Sequence, residues 1–214
     1  MPDRTKKGER RGGARHAMFR PNPYGLFAMP TLESERLILR RIAMRDAKDI
    51  FAYSKDPEVA RHVLWSAQKE LSEAKEYCRY MMKRYRNDEP ASWGIIEKKT
   101  DTLVGTIGYM DYSEDNASVE VGYSLARWMW NGGYMTEALR RVIAYTFESM
   151  DINRIEAQHE TDNPSSGRVM EKCGMRKEGV LRQRLYNKGA YRDVALYAIL
   201  REDYETGKKQ GIFE

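Results

Sequence analysis

An alternating stretch, Val119-Glu120-Val121-Gly122-Tyr123, is followed by Trp130-Asn131-Gly132-Gly133 and then by Tyr134-Met135-Thr136-Glu137-Ala138, after which apolar residues recur at helical spacing. This passage constrains the chain more than any other. A hydrophobic period that changes from strand-like to helix-like across a glycine pair requires a strand that turns sharply into a helix. The first turn of such a helix carries unpaired N–H groups and a partial positive charge, and glycine lets the backbone curl around an anion. A diglycine before a helix is also what a plain loop looks like. No Gly-Lys-Ser/Thr follows it and no Gly-x-Gly-x-x-Gly is present, so neither the Walker loop nor the dinucleotide fingerprint applies.

The flanking pattern predicts a single domain. A strand over 36–42 precedes a helix capped by Asp46, a short helix after Pro57, and a longer one over 72–86 with Ala74, Tyr77, Cys78, Met81, Met82 and Tyr85 on one face. Strands follow over 91–97, 102–112 and 117–125, then a helix over 136–149 and a strand over 154–160. Asp162-Asn163-Pro164-Ser165-Ser166 opens a helix that runs to Lys172 and stops at Gly174, and strands over 176–185 and 191–200 flank the Asn187-Lys188-Gly189 turn. The order predicts an α+β (mixed α/β) domain with a largely antiparallel sheet. Its expected bounds are 34–206, with a basic, flexible extension over 1–33 and a tail over 207–214.

With 214 residues, 41% of them hydrophobic, the chain is long enough to bury a core without disulfide or metal staples. No apolar run approaches the ~18 residues of a membrane span, so no membrane association is expected. Two cysteines, Cys78 and Cys173, and three histidines, His16, His62 and His159, form no spaced ligand set. No metal is therefore expected, and a reducing cytoplasm is the simplest location. The net charge of +5 resides in the first thirty residues, where seven basic residues face two acidic ones; thirty of each sign remain elsewhere. The basicity is a property of the arm, read either as a solvated tail or as a contact for ribosome or RNA through charge alone. Aromatic and apolar residues over Phe19–Phe27 suit docking on the domain or on a second subunit, and monomer and homodimer both stay open.

Several segments together resemble the GCN5-related N-acetyltransferase (GNAT) superfamily, in particular its ribosomal-protein alanine/serine N-terminal acetyltransferases. They are Glu35–Arg40, Leu103–Gly108, Glu120–Tyr123, Asn131–Leu139, Asn163–Met175, Glu178–Arg182 and Tyr191–Asp193, in the order and spacing of that family across 34–205. The resemblance implies the GNAT fold: a central sheet splayed in its middle, with helices on both faces. It implies acetyl-CoA as co-substrate, its pyrophosphate held by backbone N–H groups around Gly132, Gly133, Tyr134, Met135 and Thr136. Its pantetheine arm would lie between strands that part near Gly122 and Ala157, against Val121, Tyr123 and Asn163. The family's Gln/Arg-x-x-Gly-x-Gly/Ala falls on Trp130–Met135, where only Gly133 is kept.

Acetyl transfer to a primary amine needs a neutral nitrogen and a stabilised leaving thiolate. An α-amino group of pKa ~8 is about one-tenth neutral at pH 7, whereas a lysine of pKa ~10.4 is below one part in a thousand. A terminal amine thus needs only modest base help. Glu120 is the first candidate base, either directly or through water; a solvated strand carboxylate is the plainer reading, and Glu160 is the alternative. The tyrosine that donates to the thiolate in many family members is replaced here by Met170. The serine of the branch's Asn-x-x-Ser falls on Ser166, which the resemblance therefore implies as the thiolate's partner; helix capping is the plainer reading. Direct transfer in a ternary complex to a protein N-terminus is the leading expectation. A small-molecule amine (polyamine, aminoglycoside or amino-acid derivative) and a coenzyme-binding regulatory module stand as alternatives.

Overall fold

The computed structural model describes residues 25–213. In chain order they form β1 (Leu32–Glu33), β2 (Leu37–Arg41), α1 (Ala47–Ser54), α2 (Pro57–Ala60), α3 (Leu71–Arg86), β3 (Ser92–Glu97), β4 (Thr102–Ser113), β5 (Ser118–Leu125), α4 (Tyr134–Ser149), β6 (Arg154–Glu160), α5 (Pro164–Lys172), β7 (Arg176–Asn187), β8 (Ala190–Leu200) and α6 (Arg201–Lys209). The strands form one sheet in the order β1-β2-β3-β4-β5-β6-β8-β7. Neighbours are antiparallel except β5 and β6, which run parallel because α4 carries the chain back across the sheet.

That parallel pair makes the opening. β5 and β6 are in register only at Ser118↔Arg154, Val119↔Ile155 and Glu120↔Glu156. Beyond Glu120, β5 stays paired with β4, and beyond Glu156, β6 stays paired with β8. The two strands therefore part, and the facing backbone edges of 121–125 and 157–160 are left without a strand partner across the gap.

Helices cover both faces, as strand alternation shows on β4. Thr106 lies on the face covered by α1, where its hydroxyl is 3.2 Å from that of Ser124 beside the buried Tyr53. Tyr109, three residues on and thus on the opposite face, has its hydroxyl 2.6 Å from Thr146 of α4. Trp93 sits between the aromatic rings of Tyr109 and Tyr145 on that same side. These contacts are the two halves of the core.

The packed unit starts earlier than Ser34. Phe27, Met29 and Leu32 are buried, and the N–H groups of Leu26 and Phe27 donate to the Asp88 carboxylate at 2.9 and 2.8 Å. The Trp93 indole donates to Pro30 O at 2.7 Å. Single apolar residues spaced among glycine and proline carry no period, which hid this segment in the sequence. The apolar end of the Phe19–Phe27 stretch thus docks on its own domain, while all seven basic residues of the arm lie outside the described residues. At the other end α6 runs to Lys209, and the Phe213 ring lies 4.8 Å from that of Tyr204, so the domain continues past residue 206. Asp46 precedes α1 but makes no side-chain capping bond to it. Its carboxylate instead takes both terminal nitrogens of Arg40 at 2.8 Å and the N–H of Ala43 at 2.7 Å.

Candidate active site

The glycine turn is built by two left-handed residues, Asn131 (φ +60°) and Gly133 (φ +78°), the latter being the N-cap of α4. It is clamped from β2. Glu137, in the first turn of α4, accepts from Ser34 Oγ at 2.7 Å, Arg36 N at 2.8 Å and Arg36 Nε at 2.7 Å. The same guanidinium donates to Gly132 O at 2.9 Å and lies 4.1 Å from the Tyr134 ring centre. Burial opposes ionisation of Glu137, but these hydrogen bonds outweigh it and hold the carboxyl below its ordinary range. Sequence reasoning missed this clamp, because nothing local connects Ser34 and Arg36 to a helix a hundred residues away.

Gly133, Tyr134, Met135 and Thr136 line a cleft of about 470 Å³. The first N–H groups of an α-helix lack intrahelical partners, so α4 presents donors here. Across the cleft stand Ser165 and Ser166 at the start of α5, with Arg168 and Lys172 adding positive charge. Trp130 forms part of the wall, its indole donating to Leu125 O at 2.8 Å. Gly132 does not line the cleft; its carbonyl is turned to Arg36. Donors, three cations (Arg61 with Arg168 and Lys172) and an unpartnered strand edge match the diphosphate and amide-bearing arm of a coenzyme A thioester.

A second cavity of about 330 Å³ lies beyond the parting strands, lined by Trp65, Tyr77, Tyr80, Met110, Glu120 and Val121 among others. His62, Val63, Tyr123, Ser124, Asn163 and Ser166 line both cavities and so mark their junction. Here the Tyr123 hydroxyl donates to Ser166 O at 3.1 Å and lies 2.9 Å from Ser166 Oγ. Burial drives the Tyr123 phenol well above its ordinary range, so it stays protonated. When the phenol gives its one proton to Ser166 Oγ instead of the carbonyl, the serine's own proton is free to turn into the cleft. Asn163 is the N-cap of α5 yet makes no side-chain capping bond, which leaves its amide for the junction. Met170, in the place of the family's tyrosine, is buried.

Glu120 lies in the second cavity, away from the junction. Its Oε1 accepts from Gln158 Nε2 at 2.8 Å. Burial raises its carboxyl above the ordinary range, the Gln158 bond works against this, and Glu156 and Asp111 add to it. Val121 is buried and borders this cavity rather than the coenzyme cleft. Glu160 is buried, with Oε2 2.9 Å from His62 Nδ1 and Oε1 accepting from Asn187 Nδ2 at 2.6 Å. His159 has Nδ1 2.7 Å from Glu160 O, while its Nε2 is buried without a partner. Both cysteines are fully buried, and burial pushes their thiols up, Cys78 to about 11 and Cys173 to about 12.

A sheet opened between two parallel strands, with a helix N-terminus lining the cleft, is the arrangement a coenzyme A-dependent acyltransferase requires. Residues 36–176 match the family model of the acetyltransferase (GNAT) domain. The uncharacterized N-acetyltransferase YoaA of Bacillus subtilis (strain 168) is 34% identical over 172 residues, spanning 80% of this chain and 97% of the relative. The ribosomal-protein-serine acetyltransferase of Escherichia coli (strain K12) is 33% identical over 100 residues, 47% of this chain and 56% of that protein. Among solved structures, a GNAT-family acetyltransferase from Bacillus anthracis superposes with a TM-score of 0.73 at 27% identity, covering 81% of this chain and 99% of that one. The chain belongs to the GNAT family and is an acetyl-CoA-dependent N-acetyltransferase. No helix of the described residues is long and apolar enough to cross a membrane.

Proposed function

We propose that the acceptor is the α-amino group of a protein N-terminus, of the ribosomal-protein type, and that the acetyl group passes to it directly within a ternary complex. The observation that carries this reading is the meeting of two separate cavities at Tyr123 and Ser166. One has the donors for a diphosphate and the other has aromatic walls and a half-buried carboxylate. The name of the Escherichia coli relative supports the acceptor class. The chemistry supports it too: a carboxylate is a weak base even when raised, and it is matched to an α-ammonium group rather than to a lysine. Both cysteine thiols are buried and held protonated, which favours direct transfer over an acetyl-cysteine enzyme.

In this mechanism Glu120 receives the docked ammonium group and takes the proton that makes its nitrogen neutral. The nitrogen attacks the thioester carbonyl, the carbon–sulfur bond breaks, and the thiolate leaves toward the Ser166 hydroxyl at the N-terminus of α5. A donor aimed at charge that develops only as the bond breaks lowers the barrier without tightening substrate binding. Thiol release from acetyl-CoA tests the reading, comparing peptides with free Ser or Ala N-termini, the same peptides blocked at the N-terminus but carrying lysine, and polyamines. Turnover of the free-terminus peptides alone is expected. Preference for a polyamine or an aminoglycoside would overturn the acceptor.

A further inference from the structure

We propose that His62 is a second catalytic base, accepting the proton that the attacking nitrogen sheds as the carbon–nitrogen bond forms, and that Glu160 positions it. Among the side chains that line both cavities, His62 is the one imidazole. Imidazole is the side chain whose charge changes nearest neutral pH. His62 follows α2 and lines both cavities, whereas Glu120 lines the second alone.

The surroundings of His62 determine which of its nitrogens can act. Glu160 is 4% exposed and accepts from Asn187 through one oxygen, leaving the other for His62 Nδ1 at 2.9 Å. A carboxylate in that position takes its hydrogen bond from Nδ1–H, so in the neutral ring Nε2 carries the lone pair. This is the arrangement that makes a histidine a base: one nitrogen tied to a buried acid, the other open to the reacting group. Asn187 is itself buried in the β7–β8 turn and donates also to Val63 O at 3.3 Å, so the turn locks the residue next to His62 as well as its partner. The charged groups around the imidazole are Glu160 and Asp162, the latter 3.6 Å from Nδ1, with Glu58, Arg61 and Arg168 on the same cleft and Lys188 bonded to Val63 O.

The protons balance with two bases. An ammonium acceptor loses one proton before attack, which Glu120 takes, and a second as the amide forms, which His62 takes. The thiolate regains one, and one is released to solvent, which the partly exposed His62 can reach.

The test uses the full chain and whichever amine the wild type turns over, since the inference needs acetyl transfer to an amine but not the peptide acceptor. If peptides fail and a small amine succeeds, the acceptor assignment falls and His62 is still measured. His62→Ala is expected to lower kcat by about 10²-fold or more, with melting temperature and acetyl-CoA affinity by calorimetry close to wild type. Free imidazole should restore part of the rate. Glu160→Gln should lower kcat less and displace the acid limb of the kcat/KM profile. A His62→Ala enzyme within about threefold of wild type would overturn the proposal. So would a loss that imidazole does not relieve in a variant whose pH profile is unchanged.

Discussion

Replacing Gly133 by alanine tests the phosphate-binding turn directly. The added Cβ meets nothing closer than Arg36 Nη2 at 3.6 Å, so there is no clash to relieve. The penalty is that of an L-residue at φ +78°, about 1–2 kcal/mol. It must appear in one of two places. If the turn keeps its shape, the domain loses that stability, which for a chain of this size lowers the melting temperature by roughly 2–8 °C. If the turn relaxes, the bound shape must be restored when acetyl-CoA enters, and affinity falls by roughly 5–30-fold, since 1.4 kcal/mol is about tenfold. Melting curves and titration calorimetry measure the two parts on one sample. Gly189 is the control: it has φ +81° in the β7–β8 turn with nothing within 4 Å, so alanine there should lower stability and leave acetyl-CoA affinity alone. A Gly133→Ala protein with unchanged melting and unchanged affinity would refute the reasoning, and so would a Gly189→Ala protein that binds acetyl-CoA as poorly.

Ser166→Ala should lower kcat by about 10²-fold at nearly constant KM, the cost of one donor to developing charge; Tyr123→Phe, which frees the serine hydroxyl to rotate, should lower it less, and steady-state thiol release separates the two. Gln158→Leu removes the bond that restrains the raised Glu120 carboxyl, so the acid limb of kcat/KM contributed by Glu120 should move to higher pH; a limb that stays or moves down would dissociate Glu120 from it. The Glu137 carboxyl is held low in the folded chain, so its contribution to stability is present above the ordinary carboxylate range and is lost as pH falls through the folded value; Glu137→Gln should flatten melting temperature against pH on the acid side, and an unaltered curve would count against the clamp. Deletion of residues 1–24 should abolish any salt-dependent RNA mobility shift while sparing acetyl transfer; no shift from the full chain at low salt would eliminate the RNA contact.

Much of the architecture was legible because it is written in periods. The alternation over 154–160 and the helical spacing over 136–149 correspond to β6 and α4, and the diglycine lies at the turn between β5 and α4. Signals without a period were lost: the buried Phe27, Met29 and Leu32 at the start, and α6 at the end, whose buried Tyr204 packs between Phe147 and Phe213. At the site, the strand and the turn could be read from local pattern, whereas Ser166 was pointed to only by the family resemblance.

The amino-acid order by itself determined most of the elements and the glycine turn, since hydrophobic periodicity and positive φ are settled within a few residues, and its ordered motifs carried the family resemblance. Only the tertiary structure decided which distant side chains meet around the two cavities and the glycine turn. Arg36 reaches Glu137, Tyr123 reaches Ser166, and His62 reaches Glu160 across separations of 101, 43 and 98 residues. Such pairs leave no mark on local spacing. They exist because one parallel strand pair breaks off after Glu120 and Glu156, and the chain must fold around the gap.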